Sequence, residues 1–566
     1  MITGSEALWR SLIAEGVDTV FGYPGGQIMP VYDSLCNYED RVRHILVRHE
    51  QGAIHAAQGY ARVGGNPGVV IVTSGPGVTN VITGVADAMT DSTPVVVITG
   101  QVSSAALGTD AFQEADVIGL TGPISKWNYQ IRTADDVAWA VARAFYIART
   151  GRPGPVVLDF TKDAQVGMTD FRYRKCNFIR SYVPDPKISD QAVNKAVALL
   201  DAAERPFVVF GQGIILGQAE KELQAFLTKG DIPAGSTLLG LSALPSGFPL
   251  YRGMIGMHGN IAPNMMTNAC DVLIAVGMRF DDRVTGTVST YARQAKVIHI
   301  DIDPAEIGKI IPVEAGIRGD AKRVLALLTE KMQERRHPEW NAGFDRCDAV
   351  EKEKVIDPEV HPADGMLRMG EVVDRVVRAS GEKAIVVTDV GQNQMMGARY
   401  SRFTLPRSFI SSGGLGTMGF GLPAAMGAKI AAPDRSVCLF VGDGGIQMTM
   451  QEFGTIMQER LGVKIVLMNN NWLGNVRQWQ QMFFGHRYSQ TRMLNPDYAM
   501  IARAYGFRCV VVEKREELDA ALEAMFADDA PFLLDIHVLE EDNVLPMVPP
   551  GKGIHEIMIT ETEWYS

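Results

Sequence analysis

The sequence contains no apolar run approaching the ~18 residues a membrane-spanning helix needs, so no segment reads as a transmembrane anchor. Cysteine is scarce: Cys36, Cys176, Cys270, Cys347, Cys438 and Cys509 are scattered, and no two form a CxxC pair. That pattern gives neither a zinc knuckle nor a disulfide framework, and it reads as free buried thiols in a reducing cytoplasm. The histidines are also dispersed, and His49-Glu50 followed by His55 is not the HExxH spacing of zinc proteases. A basic stripe is missing. The 54 Lys and Arg residues stand against 65 Asp and Glu, a net charge of −11, which argues against nucleic acid as a partner. The first residues lack the positive region and apolar stretch of a secretory signal, with Glu6 opening an amphipathic helical pattern.

What remains is ordinary globular composition, 46% hydrophobic and 21% charged, with mean hydropathy near zero. A chain of 566 residues is too long for one core, and the usual domain size implies about three. Short β-branched runs that often close on Gly recur at 68–74, 94–100, 155–160, 206–211, 272–277, 296–302, 385–391, 437–442 and 463–468, each followed by a helical stretch. Near-continuous apolar strands of this length are buried on both faces, which means parallel sheets covered by helices and an α/β protein. Two polar stretches, 164–190 and the charge-rich 331–365, read as interdomain linkers. Beyond residue 540 the alternation stops. Pro546, Pro549, Pro550, Gly551 and Gly553 mark a tail that is either disordered or a lid over a site.

Chemistry concentrates in the last third. The run at 437–441 enters Gly442-Asp443-Gly444-Gly445, and the run at 463–468 enters Asn469-Asn470-Asn471. A carboxylate at one strand end and an amide at the next are hard oxygen ligands suited to Mg²⁺. Both fall at the carboxyl edge of a parallel sheet, where α/β proteins bind ligands. The glycines let the backbone approach a diphosphate, whose charge a following helix N-terminus favours. Gly-Asp-Gly alone is an ordinary tight turn; its pairing with Asn470 after a second apolar strand makes it specific. Near the start, Glu50 follows a short apolar run and opens a stretch of small residues (Ala53, Ala56, Ala57, Gly59, Ala61), an unusual setting for a carboxylate otherwise at home on a solvated face. In the middle, Phe207-Val208-Val209-Phe210 enters Gly211-Gln212-Gly213, a weak dinucleotide signature and equally a plain strand-to-helix turn.

The Asp443/Asn470 pair and Glu50 resemble the two halves of a thiamine-diphosphate site. Further blocks are similar, in order, to those of the acetolactate (acetohydroxyacid) synthase family: Phe21-Gly22-Tyr23-Pro24-Gly25-Gly26, Thr73-Ser74-Gly75-Pro76-Gly77, Thr109-Asp110-Ala111-Phe112-Gln113-Glu114, and Gly151-Arg152-Pro153-Gly154-Pro155. So are Gly256-Met257-His258-Gly259, Arg279-Phe280-Asp281-Asp282-Arg283-Val284, Gly414-Leu415-Gly416-Thr417-Met418-Gly419 and Val476-Arg477-Gln478-Trp479-Gln480. Each block is weak alone; their order across residues 1–550 carries the resemblance. Gln27, where the family commonly has a small residue, and Asn475, where it has Met, depart from it.

The resemblance implies three doubly wound parallel-sheet α/β domains of the thiamine-diphosphate enzyme type: 1–165 for the pyrimidine, 190–335 for FAD, 365–540 for diphosphate and Mg²⁺, then the tail 541–566. It implies that Glu50 hydrogen-bonds the aminopyrimidine N1′ and favours the imino tautomer that removes the thiazolium C2 proton. Thiamine diphosphate would also touch Val390, Gly391, Gln392, Asn393, Gly416, Met418, Gly442, Asp443, Gly444, Gly445 and Asn470, with Mg²⁺ on Asp443, Asn470 and the Trp472 carbonyl. FAD would touch Arg152, Gly211, Gln212, Thr237, Leu238, Met257, His258, Gly277, Arg279, Asp301, Ile302, Asp320 and Ala321. It would be structural, because joining two keto acids with loss of CO₂ is redox-neutral. Gly26, Phe112, Gln113 and Lys126 would lie near substrate, Met418 under the thiazolium, and Arg283 with Trp479 at the acceptor. Without the family, Arg283 reads as a salt bridge to Asp281 or Asp282, and Trp479 as a core or interface aromatic.

The implied reaction joins pyruvate to a second pyruvate or to 2-ketobutyrate, feeding valine, leucine and isoleucine synthesis. The implied assembly is at least a homodimer with a small regulatory subunit, in the cytoplasm. The competing reading is an FAD-dependent pyruvate oxidase. Glyoxylate carboligase is disfavoured by Glu50, an FAD-free catabolic synthase by the block at 279–284, and a non-catalytic scaffold by the joint presence of Glu50, Asp443 and Asn470.

Overall fold

The computed structural model describes residues 1–565. Three parallel six-stranded sheets follow one another along the chain. The first holds β1 (Thr19–Gly22), β2 (Arg43–Leu46), β3 (Gly68–Val72), β4 (Val95–Gln101), β5 (Trp127–Ile131) and β6 (Pro155–Thr161), in the order β2-β1-β3-β4-β6-β5. The second holds β7 (Pro206–Phe210), β8 (Ala234–Ser236), β9 (Tyr251–Met254), β10 (Val272–Val276), β11 (Lys296–Asp301) and β12 (Ala315–Arg318), ordered β9-β8-β7-β10-β11-β12. The third holds β13 (Ile385–Thr388), β14 (Phe409–Ile410), β15 (Val437–Gly442), β16 (Val463–Asn469), β17 (Arg508–Val512) and β18 (Phe532–His537), and repeats the topology of the first as β14-β13-β15-β16-β18-β17. The middle sheet instead runs 3-2-1-4-5-6, the strand order of dinucleotide-binding folds.

All nine apolar runs form strands. Val95, Val96, Val97 and Ile98 are fully buried in succession, as are Leu439, Phe440 and Val441, because helices cover both faces. Two of those helices join the first and third sheets. Here α1 (Glu50–Gly64) and α2 (Pro76–Thr90) belong to the first sheet, and α3 (Gln392–Tyr400), α4 (Gly421–Ala431), α5 (Asp443–Thr449) and α6 (Gly474–Phe483) to the third. Helices α1 and α4 cross at backbone contact: a Cβ on Gly59 would lie 2.0 Å from the Ala424 carbonyl oxygen, and one on Gly427 1.8 Å from that of Ala56. Only glycine permits that approach, and it explains the run of small residues after Glu50.

Two expectations need correction, and that for the tail narrows to the ordered alternative. The stretch 331–365 is not an extended linker but largely helical over Pro338–Glu351, with Trp340, Phe344 and Cys347 buried beside Phe207 and Val209 of the middle sheet. Its charges occupy the solvated face and mask an apolar stripe at helical spacing. The tail has no helix or long strand, yet it is docked. Val544, Met547, Val548, Ile554 and Ile557 are buried, and the Val548 N–H donates to the Met257 carbonyl at 2.7 Å. Of the cysteines, Cys270, Cys347 and Cys438 are buried, whereas Cys36 is exposed. Among the described residues no helix is long and apolar enough to cross a membrane.

Candidate active site

A small pocket opens where β13, β15 and β16 end. It is lined by Val390, Gly391, Gln392, Asn393, Met418, Gly442, Asp443, Gly444, Gly445, Asn470 and Trp472, with Leu473, Gly474, Asn475 and Val476 beside them. Asp443 begins α5 and is 1% exposed, with Oδ2 accepting from Asn495 Nδ2 at 2.7 Å and Oδ1 from the Gly444 N–H at 2.9 Å. Burial pushes its carboxyl up to about 6, a cost that a neighbouring cation would offset. No cluster of three His, Cys, Asp or Glu residues exists among the described residues. A cation here would take one carboxylate plus neutral oxygens and leave coordination open for phosphate, a donor set that suits Mg²⁺. Asn393 Oδ1 and Asn475 Oδ1, both in this pocket, are buried without a hydrogen-bond partner, so the pocket has polar capacity to spare.

Glu50 lines neither this pocket nor the large cavity described below. It opens α1, accepts from Asn80 Nδ2 of α2 at 2.9 Å, and lies where a Cβ on Gly77 would be 3.7 Å from its Oε1. The Gln27 N–H donates to Thr73 Oγ at 3.3 Å, and Gln113 sits at φ 63° against Gly75. Gln27, Gln113 and Glu50 thus surround the segment 73–80, and a Cβ on Gly25 would lie 2.6 Å from Thr73, so Gly26 sits between two residues that touch that segment. Two candidates do not join them within one chain. Phe112 is 83% exposed, and Lys126 Nζ donates to the carbonyls of Ile147 and Thr150 and to Tyr182 Oη. Burial lowers the Lys126 amine to about 7.

The large cavity, about 1010 Å³, lies at the carboxyl end of the middle sheet, where the strand order reverses between β7 and β10. Arg152, Gln212, Thr237, Leu238, Met257, His258, Gly277, Arg279, Asp301, Ile302, Asp320 and Ala321 all line it. Gly211 stands just behind, packed on Gly277 and Met278. A Cβ on Gly213 would meet Gly277 Cα at 2.5 Å, so two βα turns close on each other as a cradle for an extended ligand. His258 is buried beside the backbone of Val544 and Pro546 in the tail, and burial holds its imidazole down to about 3 and neutral. Volume and cradle fit a dinucleotide. Gly416, expected at the diphosphate, lines this cavity instead; Val390 lines both.

Arg283 also lines the large cavity, and its guanidinium lies 6.0 Å from the centroid of the Trp479 ring. Its pairing with Asp282 is long and exposed, at 3.6 Å, while Asp281 caps the helix Asp282–Thr285 and faces Arg279. The guanidinium is therefore largely free to take a carboxylate.

Several site residues escaped the sequence reading. Fully buried Asp389 accepts from the N–H groups of Val390, Gly419 and Gly421, holding the segment that carries Met418. It follows a strand as Asp443 does, and that same signal was available. Asp87 of α2 and Asp91, which caps its C-terminus, accept from Ser412, Thr417, Gly413 and Gly414. Glu452 accepts from the N–H groups of Arg48 and His49 beside Glu50. These contacts join residues more than 300 positions apart and leave no local trace.

Comparison with known proteins defines the class first. Residues 2–120, 193–328 and 389–536 match the family models of the N-terminal TPP-binding, central and C-terminal TPP-binding domains of thiamine pyrophosphate enzymes. The relatives narrow it. The chain is 44% identical over 561 residues to the acetolactate synthase isozyme 2 large subunit of Escherichia coli, covering 98% of this chain and 99% of that one. It is 46% identical to the acetolactate synthase large subunit of Parasynechococcus marenigrum over 562 residues, 98% and 90% of the two chains. It is 42% identical to the probable acetolactate synthase large subunit of Methanocaldococcus jannaschii over 568 residues, 98% and 95%. The chain belongs to the acetolactate synthase large-subunit family, and the pyruvate-oxidase reading is not favoured.

Proposed function

We propose that this chain ligates pyruvate to a second pyruvate or to 2-ketobutyrate, with Arg283 and Trp479 selecting the acceptor. The observation that carries this assignment is the apposition of the Trp479 indole to the largely free guanidinium of Arg283, which lines the cavity that shares Val390 with the diphosphate pocket. Bound thiamine diphosphate supplies carbanion chemistry that transfers two carbons of pyruvate with loss of CO₂. Asp443, Asn470 and the Trp472 carbonyl would hold Mg²⁺, and the N–H groups of Gly444 and Gly445 would face the diphosphate. Glu50 shares a proton with the aminopyrimidine N1′. Gly26 and Gln113 position the donor. Arg283 takes the acceptor carboxylate through its planar fork, and Trp479 packs on the extra methylene of 2-ketobutyrate.

FAD in the large cavity would be structural, since the ligation consumes no electrons. Because Glu50 faces neither cavity, we infer that each thiamine site is completed by a second copy of the chain, which would also place Phe112 and Lys126. The relatives are called large subunits, which supports a small regulatory partner. A cytoplasmic setting would keep the thiols reduced. Product analysis with pyruvate alone, then with a pyruvate/2-ketobutyrate mixture, tests the assignment. Acetolactate and acetohydroxybutyrate are expected; acetate or acetyl phosphate with flavin reduction would refute it.

A further inference from the structure

Gln478 is fully buried one residue before Trp479. Its Oε1 accepts from the Val544 N–H at 2.9 Å and from Gln392 Nε2 at 3.1 Å, while its Nε2 donates to the Val544 carbonyl at 3.2 Å. Gln392 passes the polarity on: its Nε2 also donates to the Asp542 carbonyl at 2.8 Å, and its Oε1 accepts from Asn470 Nδ2 at 3.3 Å. A backbone N–H can only donate, so Val544 draws the Gln478 oxygen toward itself. Gln392 must then present its NH₂ to Gln478, which turns its own oxygen to Asn470. Asn470 in turn gives its NH₂ to Gln392 and keeps Oδ1, the atom a hard cation takes, on the other side, 3.2 Å from the Trp472 N–H.

The tail end of this relay is firmly held. Arg477 donates to the carbonyls of Glu541 and Asp542 and to Asn543 Oδ1. Farther on, Val548 N–H donates to the Met257 carbonyl and Met257 N–H to the Arg283 carbonyl, each at 2.7 Å. Since Arg283 faces Trp479, the connections close a ring around the acceptor pair.

Resting on the metal-site reading above, we propose that Gln478 is a positioning residue: through Gln392 it fixes the direction of the Asn470 amide, so the docked C-terminal segment sets the affinity of the Mg²⁺ site. The test is calorimetric titration of Mg²⁺ at fixed thiamine diphosphate, on the full-length chain. Gln478→Met keeps the side-chain length and removes the relay, and partners that orient a metal ligand are worth 10–100-fold in affinity, so a loss of about tenfold is expected. Gln478→Glu still accepts from both Val544 and Gln392, and should stay within about threefold of the parent. If the methionine variant does not fold, Gln478→Asn, too short to reach both partners, should lose about tenfold, again more than Gln478→Glu. Unchanged Mg²⁺ affinity in Gln478→Met overturns the relay. So does an equal loss in the Met and Glu variants that tracks faster proteolysis after residue 541, since Gln478 would then only clamp the tail. Absence of Mg²⁺-dependent cofactor binding in the parent chain would instead remove the metal-site reading itself.

Discussion

The large cavity draws its walls from all three sheet regions of one chain: Thr90–Ser92 and Arg152 from the first, Gln212 to Ala321 from the second, and Val390 to Gly416 from the third. The small pocket at Asp443 is lined by the third region alone, and Glu50 of the first region does not line it but accepts from Asn80. On the function proposed above, one chain would complete a dinucleotide cavity but hold only separate halves of a thiamine site. The buried contacts agree with that division. Helices α1 and α4 meet through Gly59 and Gly427, and Glu452 reaches Arg48 and His49, so the two halves within a chain are locked together in a geometry that does not face Glu50 into the pocket.

The predictions probe this contrast. The largest effect is expected at the metal: Asp443→Ala removes the single charged ligand beside a diphosphate and should abolish Mg²⁺-dependent thiamine-diphosphate binding. Flavin retention, read from the absorption spectrum, should be unaffected, because the large cavity does not include Asp443. Glu50→Gln should fold and bind both cofactors yet lose roughly 10²–10⁴ in turnover, the range for a positioned proton-transfer group. Near-normal turnover at saturating cofactor would remove Glu50 from the chemistry.

Trp479→Leu is smaller in scale. A contact sensing one methylene discriminates by about 1–3 kcal/mol, so the ratio of acetohydroxybutyrate to acetolactate in mixed-substrate competition should fall while pyruvate homo-coupling falls less. A constant ratio with both products reduced would make Trp479 a structural aromatic. The smallest effect is on stability. Burial holds Lys126 at about 7 in the folded chain, against 10.5 ordinarily. The unfolded chain therefore binds the extra proton between those values, and stability contributed by this group rises with pH across that window. Lys126→Met should flatten the dependence of the denaturation midpoint between pH 7 and 10; an unchanged slope would show the amine is charged when folded.

Legibility from sequence followed contact range. The nine long strands were evident because each is an unbroken β-branched run buried on both faces. Short strands such as β8 (Ala234–Ser236) and the edge strand β14 (Phe409–Ile410) are too brief to show a period. The pocket at Asp443 and Asn470 was legible because these two residues immediately follow two of the long strands. Asp87, Asp91, Glu452 and Gln478 act on partners brought close only by the fold, and as isolated polar residues in or at the ends of helices they look like many others. The charge-rich stretch before residue 365 misled for a related reason: polar residues on the outer face outnumber the three that anchor the helix.

The division of the thiamine site between chains is tested most directly by mixing the two inactive variants, Glu50→Gln and Asp443→Ala, under conditions that exchange subunits. In a two-fold hybrid dimer, one site would collect both substitutions and the other neither, so random reassortment should restore about a quarter of the parental activity. Recovery near that level, absent from either variant alone, is the predicted result. If Glu50 and Asp443 of the same chain served one site, every site in the hybrid would carry one defect, and a mixture that stays inactive despite demonstrated subunit exchange would contradict the account.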